Sequence, residues 1–164
     1  MKRRAFWCAL AIGLMAFGSP RAAWAKAGTV KITISGGGLT KEIEITDPEI
    51  LKTSHVWAGN FLDSSRGTVK EPPRGLPRYE VTFYVKLRDD EEAKKAYVVY
   101  YCPSQAAGQG YIYLPGKGDP EEKTNWGSMM RPGRDGKWNY AAGAWEELIK
   151  PVIARAEAAQ RHGS

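Results

Sequence analysis

One stretch of the chain, Tyr79 to Leu114, contains three strand-like runs in succession and constrains the fold more than any other. Tyr79 to Arg88 alternates apolar and polar residues, which is typical of a strand with one buried face. A charged connector, Asp89 to Lys95, separates it from Ala96 to Cys102, which is rich in β-branched and aromatic residues. The third run is Gly110 to Leu114, and an antiparallel meander is the simplest interpretation.

The preceding segment predicts a hairpin followed by a short helix. Thr29 to Ser35 and Thr40 to Thr46 both alternate, and the glycine triplet between them, Gly36 to Gly38, permits the positive φ angles of a reversal. Asp47 then stands at an N-cap position with proline after it, so we expect a helix of about two turns ending near Thr53.

A long helix is predicted near the C-terminus, because apolar residues recur there at helical spacing. Pro151 falls on the opposite side of this helix, so it either kinks the helix outward or separates two helices. Glu157 to Ser164 is expected to be a frayed tail. The stripe consists of Trp145, Leu148, Ile149, Val152, Ile153 and Ala156.

These elements predict an α+β fold in which an antiparallel sheet of about five or six strands, a hairpin plus a meander, is packed by the C-terminal helix. Lys137 to Tyr140 supplies one further short strand. The segments 59–78 and 115–136 lack periodicity and are expected to be long irregular loops. Residues 26–164 are long enough for a single domain with its own core.

The first 25 residues have the features of a signal peptide. Lys2, Arg3 and Arg4 precede the apolar run Ala5 to Phe17, and Ala23-Trp24-Ala25 offers a small-x-small cleavage pattern. The apolar run is shorter than the roughly 20 residues that a membrane span requires. We therefore expect cleavage after Ala25 and export to the periplasm or the extracellular medium, without a stable membrane span.

Cleavage would change the charge of the chain considerably. The full chain has 24 Lys and Arg against 18 Asp and Glu, and four of the basic residues precede the cleavage position. The remaining 20 basic and 18 acidic residues give a net charge of about +2. A nucleic-acid partner is therefore not expected.

No motif in the chain predicts a metal site or a bound cofactor. Cys102 would be the single cysteine after cleavage, so no intramolecular disulfide is expected. It is interpreted as a small buried hydrophobe, with a reactive thiol as the alternative. Glu146 and Glu147 are adjacent on the predicted helix and are interpreted as solubilising residues.

Catalytic residues are not predicted, and the enzyme reading remains an alternative. A secreted hydrolase would use His55 with a loop carboxylate such as Asp63. That reading requires His55 and an acid within hydrogen-bonding distance in an open cleft.

A binding site is predicted from the aromatic residues instead. Tyr84, Tyr97, Tyr101, Tyr111 and Tyr113 cannot all lie on one buried face, so some of them should form a wet or ligand-facing surface. We expect this surface to be framed by the loops Val56 to Asp63 and Asn125 to Arg131. The candidate ligand-binding residues are Trp57, Asn60, Phe61, Tyr113, Asn125, Trp126 and Arg131.

Four segments carry a resemblance to other proteins: ITISGGGLTKEIEITDPEIL, VWAGNFLD, GYIYLPGKG and GKWNY. Together they resemble a family of uncharacterised bacterial secreted proteins that share the glycine-centred hairpin. The resemblance implies an exported single domain and no particular activity.

The sequence thus favours a monomeric, exported and non-enzymatic module that binds a small molecule, a glycan or an envelope protein. The alternatives are the hydrolase and a structural envelope protein without a ligand pocket.

Overall fold

The computed structural model describes residues 28–88, 90–105, 110–126 and 131–162, so the predicted signal peptide lies outside it. The described residues form an antiparallel sheet with helices, which confirms the α+β class, and the sheet has seven strands rather than five or six. The strands are β1 (Thr29–Gly36), β2 (Ile43–Ile45), β3 (Thr68–Val69), β4 (Tyr79–Val85), β5 (Lys94–Cys102), β6 (Tyr111–Leu114) and β7 (Lys137–Tyr140). The helices are α1 (Pro48–Thr53), α2 (Glu122–Trp126) and α3 (Gly143–His162).

The order of strands across the sheet is β2-β1-β4-β5-β6-β7-β3. Strands β4 to β7 form the meander, and the β1–β2 hairpin joins it through antiparallel pairing of β1 with β4. Gly36 and Gly37 open the hairpin turn with φ angles of 80° and 59°. The predicted reversal at the glycine triplet is therefore confirmed.

Two short elements lie where the sequence predicts irregular loops. Strand β3 pairs with the edge strand β7, with Thr68 opposite Asn139 and Val69 opposite Trp138. Helix α2 contains only five residues. The loop predictions are wrong at these positions because elements this short complete no hydrophobic period and depend on their tertiary neighbours.

Helix α1 begins as predicted. The Asp47 carboxylate accepts hydrogen bonds from the N–H groups of Glu49 and Ile50, and Pro48 is the first helical residue. The helix ends at Thr53 and buries Ile50 in the core.

Helix α3 covers one face of the sheet, and Trp145 lies at the centre of the packing. Its indole is fully buried, with ring centroids 5.0 Å from Tyr101 and 6.4 Å from Phe61. Its Nε1–H donates to the Ser54 hydroxyl at 2.9 Å, so the one polar atom of the ring is satisfied. The 56–62 segment packs into the same core through Val56, Phe61 and Leu62.

The C-terminal helix is continuous through Pro151, which is exposed on the outer side. It also extends to His162, so the predicted frayed tail is wrong for residues 157–162. The reason is tertiary, because the Gln160 amide oxygen accepts from the backbone N–H groups of Thr40 and Lys41 at 2.7 and 2.9 Å. The Gln160 amide also donates to the Lys41 carbonyl at 3.0 Å, which ties the last turn to the β1–β2 hairpin.

Candidate functional site

The alternation of the strands divides the tyrosines between the two faces of the sheet. Tyr97 and Tyr101 are buried beneath helix α3, whereas Tyr84, Tyr111 and Tyr113 are half-buried on the other face. Half-buried rings on β5, β6 and β7 form a surface that we call the aromatic face. It consists of Tyr100, Tyr111, Tyr113, Trp138 and Tyr140.

Strand register arranges the aromatic face in two rows. Tyr100 lies opposite Tyr113, and Tyr113 lies opposite Trp138, with ring centroids 6.3 and 5.3 Å apart. In the second row Tyr111 lies opposite Tyr140 at 5.6 Å. All three pairs are tilted by 36° to 50°, so the rings make favourable offset contacts within an irregular platform.

Two guanidinium groups lie over these rings. Arg78, just before β4, stands 4.0 Å above the Tyr100 ring and 5.6 Å from the Trp138 ring, and Arg66 stands 3.3 Å above Tyr140. Arg78 is exposed, and within the described residues its guanidinium donates no hydrogen bond. Stacking therefore holds the Arg78 guanidinium above the platform, with its donors not bound to other described residues.

In the row of Tyr100, Tyr113 and Trp138, the two phenol hydroxyls reach carboxylates in the segment that follows β6. The Tyr100 hydroxyl donates to Glu121, and the Tyr113 hydroxyl donates to Asp119 at 2.9 Å. Burial and these acids raise the pKa of both phenols, so both remain protonated donors at neutral pH. The second oxygen of Glu121 is buried without a hydrogen-bond partner among the described residues.

This arrangement combines three recognition elements: aromatic ring faces, guanidinium donors and carboxylate acceptors. Rings cover apolar parts of a ligand at a low cost in conformational entropy. Guanidinium and carboxylate groups fix hydroxyl-bearing ligands by hydrogen bonding. Acidic and basic groups stand together, so the surface selects neither sign of charge strongly.

The predicted site residues with described side chains do not all lie at this face. Phe61 and Arg131 meet in the core beside the 56–62 segment, with the guanidinium 5.6 Å from the ring and donating to the Val56 carbonyl at 3.4 Å. Burial lowers the pKa of Arg131. A Cβ atom on Gly59 would overlap that guanidinium, so glycine is needed for this close approach.

The remaining predicted residues occupy three different environments. Trp57 is half-buried and Asn60 exposed in the same turn-rich segment, whereas Tyr113 belongs to the aromatic face. Trp126 ends helix α2, and its side chain lies outside the described part of the chain. Residues 127–130 of the second predicted framing loop lie outside the described part of the chain, and its end at Arg131 contacts the 56–62 segment.

Asn125 is buried and bound to the edge of β5. Its Oδ1 accepts from the Val98 N–H and its Nδ2 donates to the Val98 carbonyl, both at 2.8 Å. Strand β6 pairs with residues 100–102 of β5, so this stretch of β5 extends beyond its neighbour. The side-chain amide thus takes the place of a neighbouring strand's peptide group.

His55 lies between helix α1 and the turn-rich 56–62 segment. Its Nδ1 accepts from the Ala58 N–H at 3.4 Å, and no carboxylate of the described residues forms an ion pair with it. Asp63 instead accepts from the N–H and the hydroxyl of Ser65, which lowers the pKa of its carboxyl.

Glu146 is buried, so its interpretation as a solubilising residue is wrong. Its carboxylate accepts from the Tyr101 hydroxyl at 2.6 Å and the Gly110 N–H at 3.0 Å, and it lies 3.2 Å from the Lys150 ammonium. A Cβ on Gly110 would stand 2.0 Å from the carboxylate, so only glycine allows this contact. Three donors make the burial of the charge tolerable, and Glu147 is exposed as expected.

Cys102 is free, and its side chain is buried on the same side of β5 as Tyr100. Burial raises the pKa of the thiol to about 11. The interpretation as a small buried hydrophobe fits this environment, since the thiol remains protonated at neutral pH.

The described residues contain neither a cluster of metal-ligating side chains nor a membrane-spanning helix. No group of three or more His, Cys, Asp and Glu side chains has an arrangement that could hold a metal ion. None of the helices in these ranges combines the length and the apolar composition that a membrane crossing requires.

Sequence reasoning missed three members of the aromatic face, Tyr100, Trp138 and Tyr140, and the two guanidinium groups above it, which belong to Arg66 and Arg78. The alternation of β5 offers a signal, because it places Tyr100 and Tyr101 on opposite faces of the sheet. The same alternation in β7 puts Trp138 and Tyr140 on one face, but the pairing of β7 with β6 is needed to bring both strands together. The positions of Arg66 and Arg78 follow from loop paths that no local pattern encodes.

Comparison with known proteins gave no relatives: no family model matches the chain, and no curated protein or solved structure matches it significantly.

Proposed function

We propose that this chain is an exported binding module whose aromatic face binds a glycan. The observation that carries the proposal is the row Tyr100, Tyr113 and Trp138 with the Arg78 guanidinium above it, which donates no hydrogen bond within the described residues. Sugar rings present apolar C–H faces and hydroxyl groups together. Half-exposed aromatic rings beside fixed donors and acceptors match both parts.

The charge balance favours a neutral glycan over a nucleic acid or a strongly anionic polymer. Arg66 and Arg78 are accompanied by Asp119 and Glu121, and a phosphate chain would be repelled by these carboxylates. The signal peptide predicted at residues 1–25 supports export to a compartment where glycans are available. No observation on the described residues favours the hydrolase or a purely structural role.

Isothermal titration with cellohexaose, chitohexaose and laminarihexaose tests the proposal. We expect at least one hexasaccharide to bind and to perturb tryptophan fluorescence. Trp138→Ala should weaken binding about 30-fold, as loss of a central aromatic anchor does at other interfaces. Arg78→Ala should weaken it about fivefold, because it removes donors at an exposed position.

Tyr84→Ala is the matched control. Tyr84 is another half-buried ring with a cation above it, Lys31 at 4.7 Å, but it lies on β4 outside the aromatic face. This variant should bind like the parent. Equal loss of binding in Tyr84→Ala and Trp138→Ala, or no binding of any hexasaccharide, would contradict the proposal.

A further inference from the structure

A groove lies between helix α3 and the ends of strands β4 and β5, on the side of the sheet opposite to the aromatic face. Its volume is about 250 Å³, so it suits a ligand smaller than a typical drug. Its walls include the apolar side chains Pro77, Pro103, Ile153 and Ala154, and it also contains two opposite charges, Lys150 and Glu157.

Glu157 supplies an oriented negative charge. Its Oε1 accepts from the Tyr79 hydroxyl at 2.5 Å, and burial together with this carboxylate raises the pKa of Tyr79, which stays a neutral donor. No Lys, Arg or His of the described residues lies within ion-pairing distance of Glu157. The hydrogen bond from Tyr79 therefore fixes the orientation of the carboxylate, and no cation of the described residues pairs with its charge.

Lys150 supplies the positive charge. Its ammonium donates to the Ser104 carbonyl at 2.8 Å and contacts Glu146 at 3.2 Å. An ammonium has three N–H donors, so one remains for a ligand. Glu146 also accepts from Tyr101 and Gly110, so the ammonium is one of three donors that stabilise its buried carboxylate.

The spacing of the two charges sets the length of the ligand. Lys150 and Glu157 are seven residues apart on one helix, which places their Cα atoms on the same side of the helix and about 10.5 Å apart along its axis. Hydrogen bonds of about 2.8 Å at each end leave room for charges roughly 5 to 10 Å apart. An extended dipeptide, at about 3.5 Å per residue, spans about 7 Å.

We propose that this groove binds a small zwitterion of dipeptide size, with its ammonium on Glu157 and its carboxylate on Lys150. The apolar walls contact the ligand between its charged ends. This site is independent of the aromatic face, since it uses none of the same residues.

Calorimetric titration with alanyl-leucine and its two singly blocked forms tests the proposal. N-acetylation removes the ligand's ammonium, and C-terminal amidation removes its carboxylate. We expect the free dipeptide to bind about five- to tenfold more tightly than either blocked form, because each blocked form loses one charge-assisted hydrogen bond. Methyl NMR signals of Ile153 and Ala154 should shift on binding, since both line the groove.

Glu157→Gln provides the decisive variant, because the amide retains an acceptor for Tyr79 and removes the charge. It should bind the free and the N-acetylated dipeptides equally. Glu147→Gln, an exposed change on the same helix, should bind like the parent. An amidated dipeptide that binds as tightly as the free one would overturn the zwitterion proposal, as would no shift at Ile153 with any of the three peptides.

Discussion

The strongest structural prediction concerns Asn125, whose side-chain amide completes the edge of strand β5. Replacement by alanine removes two hydrogen bonds of 2.8 Å and leaves the N–H and the carbonyl of Val98 without partners. Asn125 is 1% exposed and Val98 is fully buried, so water cannot easily substitute. Each buried unsatisfied group costs about 1–3 kcal/mol.

We therefore expect Asn125→Ala to lower the free energy of unfolding by about 2–4 kcal/mol. For a chain of this size that corresponds to a fall in Tm of roughly 4–16 °C. Thermal unfolding followed by circular dichroism measures it. Asn125→Asp should be at least as destabilising as Asn125→Ala. Its carboxylate still accepts from the Val98 N–H but has no donor for the Val98 carbonyl.

Thr124→Ala serves as the control, since Thr124 is a half-buried neighbour on the same short helix. It should change Tm by only a few degrees. If Asn125→Ala melted within about 2 °C of the parent, the reasoning from unsatisfied backbone groups would be refuted. Unchanged hexasaccharide binding by folded Asn125→Ala would separate its structural role from the ligand contact that the sequence suggested.

Three further predictions follow from buried polar groups. Trp145→Phe removes the hydrogen bond to Ser54 and some packing volume, so it should lower the free energy of unfolding in urea by about 2–4 kcal/mol. Adding Ser54→Ala should lower it little further, and a large extra loss would contradict the pairing of the two side chains. Cys102 should resist iodoacetamide at pH 8 in the native protein, because burial raises the pKa of its thiol to about 11, and should react readily once unfolded; rapid native labelling would refute its burial. Burial raises the pKa of Tyr97 and Tyr101 above the ordinary value of 10.0. The stabilisation from their protonated phenols is therefore complete below about pH 10 and is lost as the pH rises further. A Tm that held constant well above pH 10 would contradict this prediction.

The sequence by itself determined the elements that depend on local physics. Alternation and turn glycines predict the β1–β2 hairpin and the strands of the meander, and an N-cap predicts helix α1. The residues that define each of these elements lie close together in the chain. The apolar stripe beginning at Trp145 likewise predicts helix α3. These patterns are sufficient because each element must bury one face, whatever its partner is.

Tertiary structure decided the features that need distant residues to meet. Strand β3 forms because Thr68 and Val69 pair with the edge of β7. The last turns of α3 persist because the Gln160 side chain hydrogen-bonds to the β1–β2 hairpin. Glu146 is tolerated in the core only where strand β5 and Gly110 supply donors. A sequence pattern records the polarity of such residues but not the partners that satisfy them.

The same distinction applies to the two proposed sites. Alternation indicates that some tyrosines face away from the core, but Arg78 reaches Trp138, 60 positions later in the chain, only through the order of strands in the sheet. The groove pairs Lys150 and Glu157 at a spacing readable from the helix, yet its walls come from the ends of β4 and β5. Local periodicity therefore determined which residues are available, and the packing of strands and helix decided which of them form a surface together.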